Sequence, residues 1–323
     1  MSSILVTGAS GFVGSHAIPE LLAGGHRVMA LVRTPTAGEI VMGRLPTEER
    51  QRVELRRGDV TQPDTLRAAF DGVDGVLHLA AIPRDFSGGR DLRLINIEGS
   101  RAVVEAMEAT GVGRLVHMGA LGIVDDPRLH YASSKARAEQ LVAGSSLDWT
   151  ILKPSLQFGP RDGFFNTLAD LVRVSPGLVP IPGRGNSRFQ PIHAADVARV
   201  ARAAFEDAAT IGQKFELGGP RYWTYREIAR EVITALGARR VILPMPVPLI
   251  RLVAGSAERL RLPFPVATDQ LRQLGLDNIG PLGLVEAQFG FRPREMAGQL
   301  GYLSRRRRDQ EPLGVEAGAM PAS

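Results

Sequence analysis

Three glycines separated by pairs of residues lie close to the N-terminus, in the segment TGASGFVG at residues 7–14. In such a loop Gly8 permits a tight turn, Gly11 lets a pyrophosphate approach the backbone, and Gly14 allows a helix to pack closely on a strand. A glycine-rich turn without a ligand is the alternative. The apolar strand before the loop and the periodic helix after it, whose free N–H groups would face the phosphates, favour dinucleotide binding. We expect the cofactor to contact Thr7, Gly8, Ser10, Gly11, Phe12 and Gly14.

Tyr131 and Lys135 are a second set of residues suited to chemistry, because a separation of four residues puts them on one face of a helix. A tyrosine has an ordinary pKa of about 10, and a nearby ammonium group and a cationic nicotinamide would both lower it. Tyr131 could then give a proton to a carbonyl oxygen, or take one from an alcohol, during hydride transfer. We expect Lys135 to hold the ribose hydroxyls as well.

The residue at the end of the second predicted strand bears on the choice of cofactor. Enzymes that use NAD usually place Asp or Glu there, on the 2′-hydroxyl of the ribose. This chain has Arg33, in ALVRTP, with no acid beside it. A guanidinium is always charged and bonds a 2′-phosphate through two N–H groups. The sequence therefore favours NADP(H), and a solvated Arg33 with NAD(H) as the cofactor is the alternative.

Short apolar runs alternate with helical segments through the first half of the chain, which is the pattern of a parallel sheet covered on both faces. We predict strands at residues 4–6, 28–32, 53–55, 75–79, 115–118 and 149–152, and helices at residues 12–23, 92–109 and 131–142. The fold class is therefore α/β, a Rossmann-type doubly wound parallel sheet with a small, mainly helical C-terminal domain.

Prolines and a loss of the βα alternation indicate a second domain after residue 154. The predicted parts are a dinucleotide-binding domain at residues 1–158 with a return segment at 187–217, a smaller substrate or partner domain at 159–186 and 218–303, and a disordered tail at 304–323. The smaller domain includes an apolar helix at residues 249–260, for which core packing is preferred over contact with a membrane surface.

Composition excludes several classes of function. The chain has 39 Lys and Arg against 34 Asp and Glu, a formal net charge of +5, so we expect no basic face for nucleic acid. It has no cysteine for disulfides, thiolate metal sites or nucleophilic catalysis, and no His, Asp and Glu cluster has metal-ligand spacing. His117 and His193 are interpreted as hydrogen-bonded packing residues. Without a signal peptide or a run of about 18 apolar residues, we expect a cytoplasmic protein with no transmembrane span.

The order of the motifs resembles that of the extended and atypical short-chain dehydrogenases/reductases, the NAD-dependent epimerase/dehydratase superfamily, over residues 4 to about 220. The matching segments after the glycine loop are RRGDV, LHLAA, LINIEGS, YASSK, LKPSLQFGP and FQPIHAADVA. The resemblance implies Asp59 and Val60 at the adenine, Ala80 and Ala81 along the cofactor, Asn96 supporting the active site, Pro154 and Ser155 beside the nicotinamide, and Tyr131 and Lys135 as the paired catalytic residues.

Segments of the second domain narrow this resemblance. GGPRYWTYREIAREV, LPMPVPLIRLV and TDQLRQLGLDN resemble bacterial relatives of the nucleotide-binding accessory subunit of respiratory complex I. That resemblance implies tight NADPH binding and, for several members, a structural role. The partner would then be a membrane-associated protein complex, with the chain peripheral to the membrane. An enzyme would instead take a small carbonyl, alcohol or quinone substrate.

A hydroxyl group that this family uses in catalysis is missing. It should follow the predicted strand at residues 115–118, where the chain has Gly119 and Ala120. The loss of one such donor typically costs on the order of 10²–10³ in rate. Water or a backbone N–H group near Gly119 would be a substitute.

Three functions are consistent with these observations. The first is an NADP(H)-binding oxidoreductase with a weakened catalytic set. The second is a non-catalytic protein that NADPH stabilises for assembly into a respiratory or quinone-related complex. The third is a nucleotide-sugar epimerase or dehydratase, a class against which Arg33 and the missing hydroxyl both count.

Overall fold

Seven parallel strands form the central sheet of the computed structural model, which describes residues 1–85, 87–246, 248–249 and 277–305. The strands are β1 (Ser3–Thr7), β2 (Arg27–Val32), β3 (Val53–Arg57), β4 (Gly75–His78), β5 (Arg114–Met118), β6 (Asp148–Pro154) and, after several short strands, β11 (Gln213–Leu217). Their order is β11-β6-β5-β4-β1-β2-β3, which reverses direction between β1 and β4. The predicted Rossmann-type doubly wound sheet is confirmed.

Helices cover both faces of this sheet. They are α1 (Gly14–Ala23), α2 (Pro35–Gly43), α3 (Thr47–Arg50), α4 (Arg90–Leu92), α5 (Gly99–Thr110), α6 (His130–Ala143) and α8 (Ala194–Glu206). In β1, Ile4 and Val6 pack in one apolar core and Leu5 packs in the other. Side chains alternate along a strand, so the three central residues of β1, which are buried on both faces, are all apolar.

A third apolar core lies outside the sheet and includes Phe165, Trp223 and Leu303. The elements around and beyond it are β7 (Gln157–Phe158), α7 (Phe164–Val174), β8 (Leu178–Pro182), β9 (Arg188–Phe189), β10 (Ile192–His193), β12 (Trp223–Thr224), α9 (Tyr225–Ala235), β13 (Val241–Met245) and α10 (Leu284–Phe289). The predicted helix at residues 249–260 lies outside the described residues except for Leu249, as does most of the predicted tail. The domain boundaries stay a prediction. No helix within the described ranges is long and apolar enough to cross a membrane.

The helix predicted at residues 92–109 is interrupted. It consists of α4, a π-helical turn at Arg93–Glu98, and α5. The π-helical turn contains Asn96, whose side chain bonds both the N–H and the C=O of Ile82. Such turns often redirect a side chain towards a functional site. Apolar periodicity does not reveal a turn of this kind, because the flanking segments keep helical spacing.

Candidate active site

The predicted site residues meet at the carboxyl edge of the sheet. The glycine loop follows β1, Arg33 follows β2, Asp59 follows β3, Ala80 follows β4, Gly119 follows β5 and Ser155 follows β6. In an open α/β sheet this edge forms the crevice in which ligands bind, at the point where the strand order reverses. That point lies between β1 and β4, so the glycine loop and the loop of Ala80 and Ala81 border the crevice.

The glycine loop forms a cradle that fits a pyrophosphate. Gly8 has a φ of +65°, and a Cβ there would lie 2.9 Å from the backbone nitrogen of Ala80. A Cβ on Gly14 would lie 2.6 Å from the carbonyl oxygen of Gly8. At Gly11 a Cβ would meet only Gly8, at 3.1 Å from its carbonyl oxygen. The N-cap residue of α1 is the apolar Val13, so no side chain competes for the first N–H groups of the helix.

Substitutions at two glycines should therefore separate folding from binding. Gly14→Ala forces a methyl group against loop carbonyls, which we expect to destabilise the ligand-free protein by about 1–3 kcal/mol and lower its Tm by several degrees. Gly11→Val should leave the ligand-free Tm nearly unchanged and abolish its rise on addition of NADPH. Thermal unfolding with and without NADPH measures both effects. Full stabilisation of Gly11→Val by NADPH would show that the loop does not hold the pyrophosphate.

Thr7 ties the glycine loop to the loop after β4. Its Oγ1 accepts hydrogen bonds from the N–H groups of Leu79 and Ala80, each at 3.1 Å, and lies 2.7 Å from Nδ1 of His78. The other ring nitrogen of His78 lies 3.0 Å from Oγ of Ser100 at the start of α5. These hydrogen bonds between buried polar side chains fix the floor of the crevice, and Thr7 takes part in them through its hydroxyl group.

Asn96 connects the same loop to the helix that carries Tyr131. Its Nδ2 donates to Oγ of Ser134 at 2.9 Å, and Ser134 donates in turn to the carbonyl oxygen of Tyr131 at 2.8 Å. Its other bonds hold both backbone groups of Ile82. Asn96 is almost fully buried, so the side chain positions α6 against the crevice.

Tyr131 and Lys135 lie on consecutive turns of α6, as their spacing predicted. The Nζ of buried Lys135 donates to the carbonyl oxygen of Met118, at the end of β5, over 2.5 Å. Burial lowers the pKa of Lys135 to about 8, against the opposing effect of the Glu139 carboxylate. Burial, and then Glu139, raise the pKa of Tyr131 to about 12. This direction is opposite to the one expected from the sequence, because desolvation and the Glu139 carboxylate both disfavour the charged phenolate. Tyr131 is therefore a protonated donor at neutral pH.

Glu139 is a member of this site that the sequence analysis missed. It follows Lys135 by four residues on the same face of α6 and is 5% exposed. Its Oε1 accepts the N–H of Ala120 at 3.2 Å, and its Oε2 lies 3.8 Å from Nζ of Lys153. A Cβ on Gly119 would collide with Oε1. Glycine at position 119 thus makes room for the carboxylate where the family's hydroxyl was expected.

The backbone does not supply the missing hydrogen-bond donor. The N–H of Gly119 donates to the carbonyl oxygen of Leu152 at 2.8 Å, and the N–H of Ala120 donates to Glu139. The N–H of Leu121 donates to the carbonyl oxygen of Pro154 at 3.0 Å. The suggested substitution by a backbone N–H near Gly119 is therefore wrong, since these groups already have acceptors.

Glu139→Gln should shift the pH dependence of any reduction at this site. Its negative charge raises the pKa values of Tyr131 and Lys135, so its removal lowers both. Reduction needs a protonated Tyr131, and the alkaline limb of kcat/KM against pH should move to lower pH. Glutamine keeps an acceptor for Ala120, so the Tm should change little. Glu216→Gln is the matched control, because Glu216 lies 3.7 Å from the same Lys153 on its exposed side. If the alkaline limb does not move in Glu139→Gln, or if it moves equally in both variants, the role of Glu139 in raising the pKa of Tyr131 is contradicted.

Ser155 and Pro154 close the crevice on the side of β6. The hydroxyl of Ser155 donates to Oδ1 of Asn278 at 2.6 Å and accepts the N–H of Gln190 at 3.1 Å. Asn278 in turn donates to the carbonyl oxygen of Leu121, after β5. Ser155 thus links two strand ends to the segment after residue 276, and its predicted contact with the nicotinamide stays a prediction.

The end of the crevice at which the sequence predicts contact with a 2′-phosphate contains two arginines. Arg33 is exposed and forms no hydrogen bond or ion pair with any described residue. Arg44, which follows α2, donates to the carbonyl oxygen of Ser10 in the glycine loop at 2.7 Å. A second guanidinium therefore reaches this end of the crevice, which the sequence analysis did not identify.

The other residues singled out from the sequence make local contacts, and the contact of Asp59 and Val60 with an adenine stays a prediction. The Oδ1 of Asp59 accepts the backbone N–H and the hydroxyl of Thr61, and buried Val60 packs beside Gly99. Nδ1 of His193 accepts the N–H of Ala195 at the start of α8, which confirms a hydrogen-bonded structural histidine. His117 is buried, but neither of its ring nitrogens has a hydrogen-bond partner among the described residues. It is a packing residue without the predicted bond. Within the same residues, no group of three His, Asp or Glu could hold a metal ion.

Known proteins resemble this chain in sequence and in fold. A family model described as NAD(P)H-binding matches residues 8–208. The mitochondrial NADH dehydrogenase (ubiquinone) 1 alpha subcomplex subunit 9 of Arabidopsis thaliana is 26% identical over 297 residues, which cover 87% of this chain and 70% of that protein. A 2-alkyl-3-oxoalkanoate reductase of Stenotrophomonas maltophilia is 29% identical over 264 residues, 74% of this chain and 77% of the reductase.

A solved structure shares the fold. The dTDP-glucose 4,6-dehydratase of Streptomyces venezuelae, determined with NAD bound, superposes with a TM-score of 0.71 over 95% of this chain and 97% of its own, at 22% identity. The resemblance in sequence to a complex I subunit is confirmed by these comparisons, and the resemblance to epimerase/dehydratase-type proteins is confirmed in fold.

Proposed function

Since this chain belongs to the NAD(P)H-binding family, we propose that it is an NADPH-dependent oxidoreductase that reduces a carbonyl group. The observation that carries the proposal is the pairing of Tyr131 and Lys135 at the carboxyl edge of the sheet. Tyr131 keeps its proton at neutral pH, and Nζ of Lys135 is anchored on Met118. The 2-alkyl-3-oxoalkanoate reductase of Stenotrophomonas maltophilia aligns with most of this chain, and its name supports the same chemistry.

The residues present fit a dinucleotide phosphate. The glycine loop and the start of α1 would hold the pyrophosphate, and Arg33 would hold a 2′-phosphate. When bound, NADPH supplies the hydride. Tyr131 donates its phenolic proton to the carbonyl oxygen as the alcohol forms, and the ammonium group of Lys135 stabilises the resulting phenolate. No hydroxyl side chain and no free N–H group at Gly119 or Ala120 assists, so we expect slow turnover.

Two measurements on one preparation test this proposal. Mass spectrometry of the ligand released by heat from the purified chain should detect NADP(H). NADPH oxidation should be detected with members of a panel of ketones and quinones. Release of NAD(H) alone would contradict the choice of cofactor. A complete absence of turnover across the panel would favour the second candidate.

The second candidate is a non-catalytic protein that bound NADPH stabilises for assembly into a larger complex. The N–H groups of Gly119 and Ala120 already have acceptors within the protein, which favours this candidate. The carbonyl oxygen of a substrate would then have Tyr131 as its main hydrogen-bond donor. A relative that is a subunit of NADH dehydrogenase favours this candidate as well. Saturation a thousandfold above Kd would add about 4 kcal/mol to the free energy of unfolding. Under this reading, removal of the Tyr131 hydroxyl leaves assembly intact.

A further inference from the structure

A two-stranded ribbon outside the main sheet presents an apolar outer face. Strands β8 and β13 are parallel and in register, with Val241 opposite Leu178, Leu243 opposite Pro180 and Met245 opposite Pro182. Registered partners project to the same side of a sheet. The intervening Val179 and Ile181 are fully buried in the third core, so the three registered pairs face outward. We call these six residues the outer ribbon face.

Much of this face is exposed. The exposed fraction is 66% for Val241, 53% for Leu178 and 39% for Leu243, and Val174, at the end of α7, is 76% exposed. A group of large apolar residues exposed together, in contrast to scattered ones, is typical of an interaction surface.

The chain around the outer ribbon face is rich in arginine. Residues 171–186 and 236–249, which contain the two strands, include Arg173, Arg184, Arg239 and Arg240 and have no Asp or Glu. Arg173 pairs with Asp170 at 2.7 Å, whereas Arg184, Arg239 and Arg240 form no ion pair with a described residue. Arg173 and Arg240 also line an open cleft of about 450 Å³ beside the ends of α7 and α9.

We propose that the outer ribbon face docks on the surface of an anionic lipid bilayer. Val241, Leu243 and Leu178 enter the boundary between headgroups and acyl chains, and the arginines contact the lipid phosphates. Apolar residues flanked by Arg are the combination that binds an anionic interface. The charge selects this occupant over a second copy of the chain. A symmetric dimer through the same face would bring its unpaired arginines towards one another.

The test is co-sedimentation of the purified full chain with phospholipid vesicles. Vesicles of phosphatidylcholine with about a third of phosphatidylglycerol should bind at least about tenfold more protein than phosphatidylcholine alone. Binding should fall as the salt rises from about 0.1 to 0.5 M, because the Debye length shortens. Val241→Asp should reduce binding about tenfold or more, since a carboxylate then enters the interface. Arg239→Ala should reduce it about fivefold.

Matched variants keep the test specific. Leu282→Asp changes a leucine that is 53% exposed on another segment, and Arg27→Ala changes an arginine at the start of β2. Both should bind vesicles as the unmodified chain does, and the Tm of every variant checks folding. Equal binding to neutral and anionic vesicles, or full binding by Val241→Asp, would overturn the proposal. A dimer in light scattering that Val241→Asp dissociates, without vesicle binding, would overturn it in favour of a contact between copies.

Discussion

Tyr131→Phe should lower NADPH-dependent carbonyl reduction by about 10²–10⁴-fold, which is the usual contribution of a positioned acid. The variant keeps the aromatic ring and removes only the hydroxyl group. Because Gly119 and Ala120, directly after β5, have no hydroxyl group, neither replaces the lost proton donor. The affinity for NADPH should change little, since the glycine loop and Arg33 are untouched. Steady-state and single-turnover oxidation of NADPH, with the ketone or quinone that is turned over fastest, measure the effect.

Tyr225→Phe is the matched control for that variant. Tyr225 is a buried tyrosine at the start of α9, and it packs against Phe164 and Phe189 in the third core. The same atom is lost from a buried ring outside the site, so activity should remain within about twofold of the unmodified chain. Turnover that survives Tyr131→Phe unchanged would refute the assignment of Tyr131. An equal loss in both variants would point to folding as the cause.

The fold was predictable because its central strands are buried on both faces. The middle of β1, Ile4–Val6, is apolar at every position, and the glycine loop after it contains two glycines that backbone contacts require. These are local properties that a sequence displays directly. The π-helical turn at Arg93–Glu98 was not predictable. It contains Asn96, whose side chain is bonded to Ile82, which lies 14 residues away.

The site was only partly predictable, because long-range packing decides how its groups behave. The spacing of Tyr131 and Lys135 indicated one helix face, and Glu139 continues that spacing by one more turn. A glutamate in a helix normally faces solvent, so its spacing alone did not indicate that Glu139 is buried. The space for its carboxylate comes from Gly119, and the sequence does not show that these two residues meet. The link from Ser155 to Asn278 spans 123 residues and has no local pattern. The raised pKa of Tyr131 also depends on burial, which the motif does not express.

Arg33→Ala should raise the Kd for NADPH by roughly 10- to 100-fold and leave the Kd for NADH almost unchanged. A hydrogen bond to a charged group contributes about 1.5–3 kcal/mol, and each 1.4 kcal/mol is tenfold in affinity. Arg33 follows the last residue of β2, is exposed and has no partner among the described residues. Its guanidinium can therefore turn to a 2′-phosphate without breaking an existing bond. Titration of both nucleotides by fluorescence or calorimetry gives the two affinities.

Arg27→Ala is the matched control for cofactor selection, because Arg27 is an exposed arginine at the opposite end of the same strand. It removes one positive charge from the protein without touching the crevice, so both affinities should stay as they were. Rising salt should weaken NADPH binding more in the unmodified chain than in Arg33→Ala, since an exposed charge pair is screened. Equal affinities for NADPH and NADH in the unmodified chain would refute the preference for NADPH. If Arg33→Ala lowers the affinity for both nucleotides equally, Arg33 instead contacts a group that NADPH and NADH share, and not the 2′-phosphate.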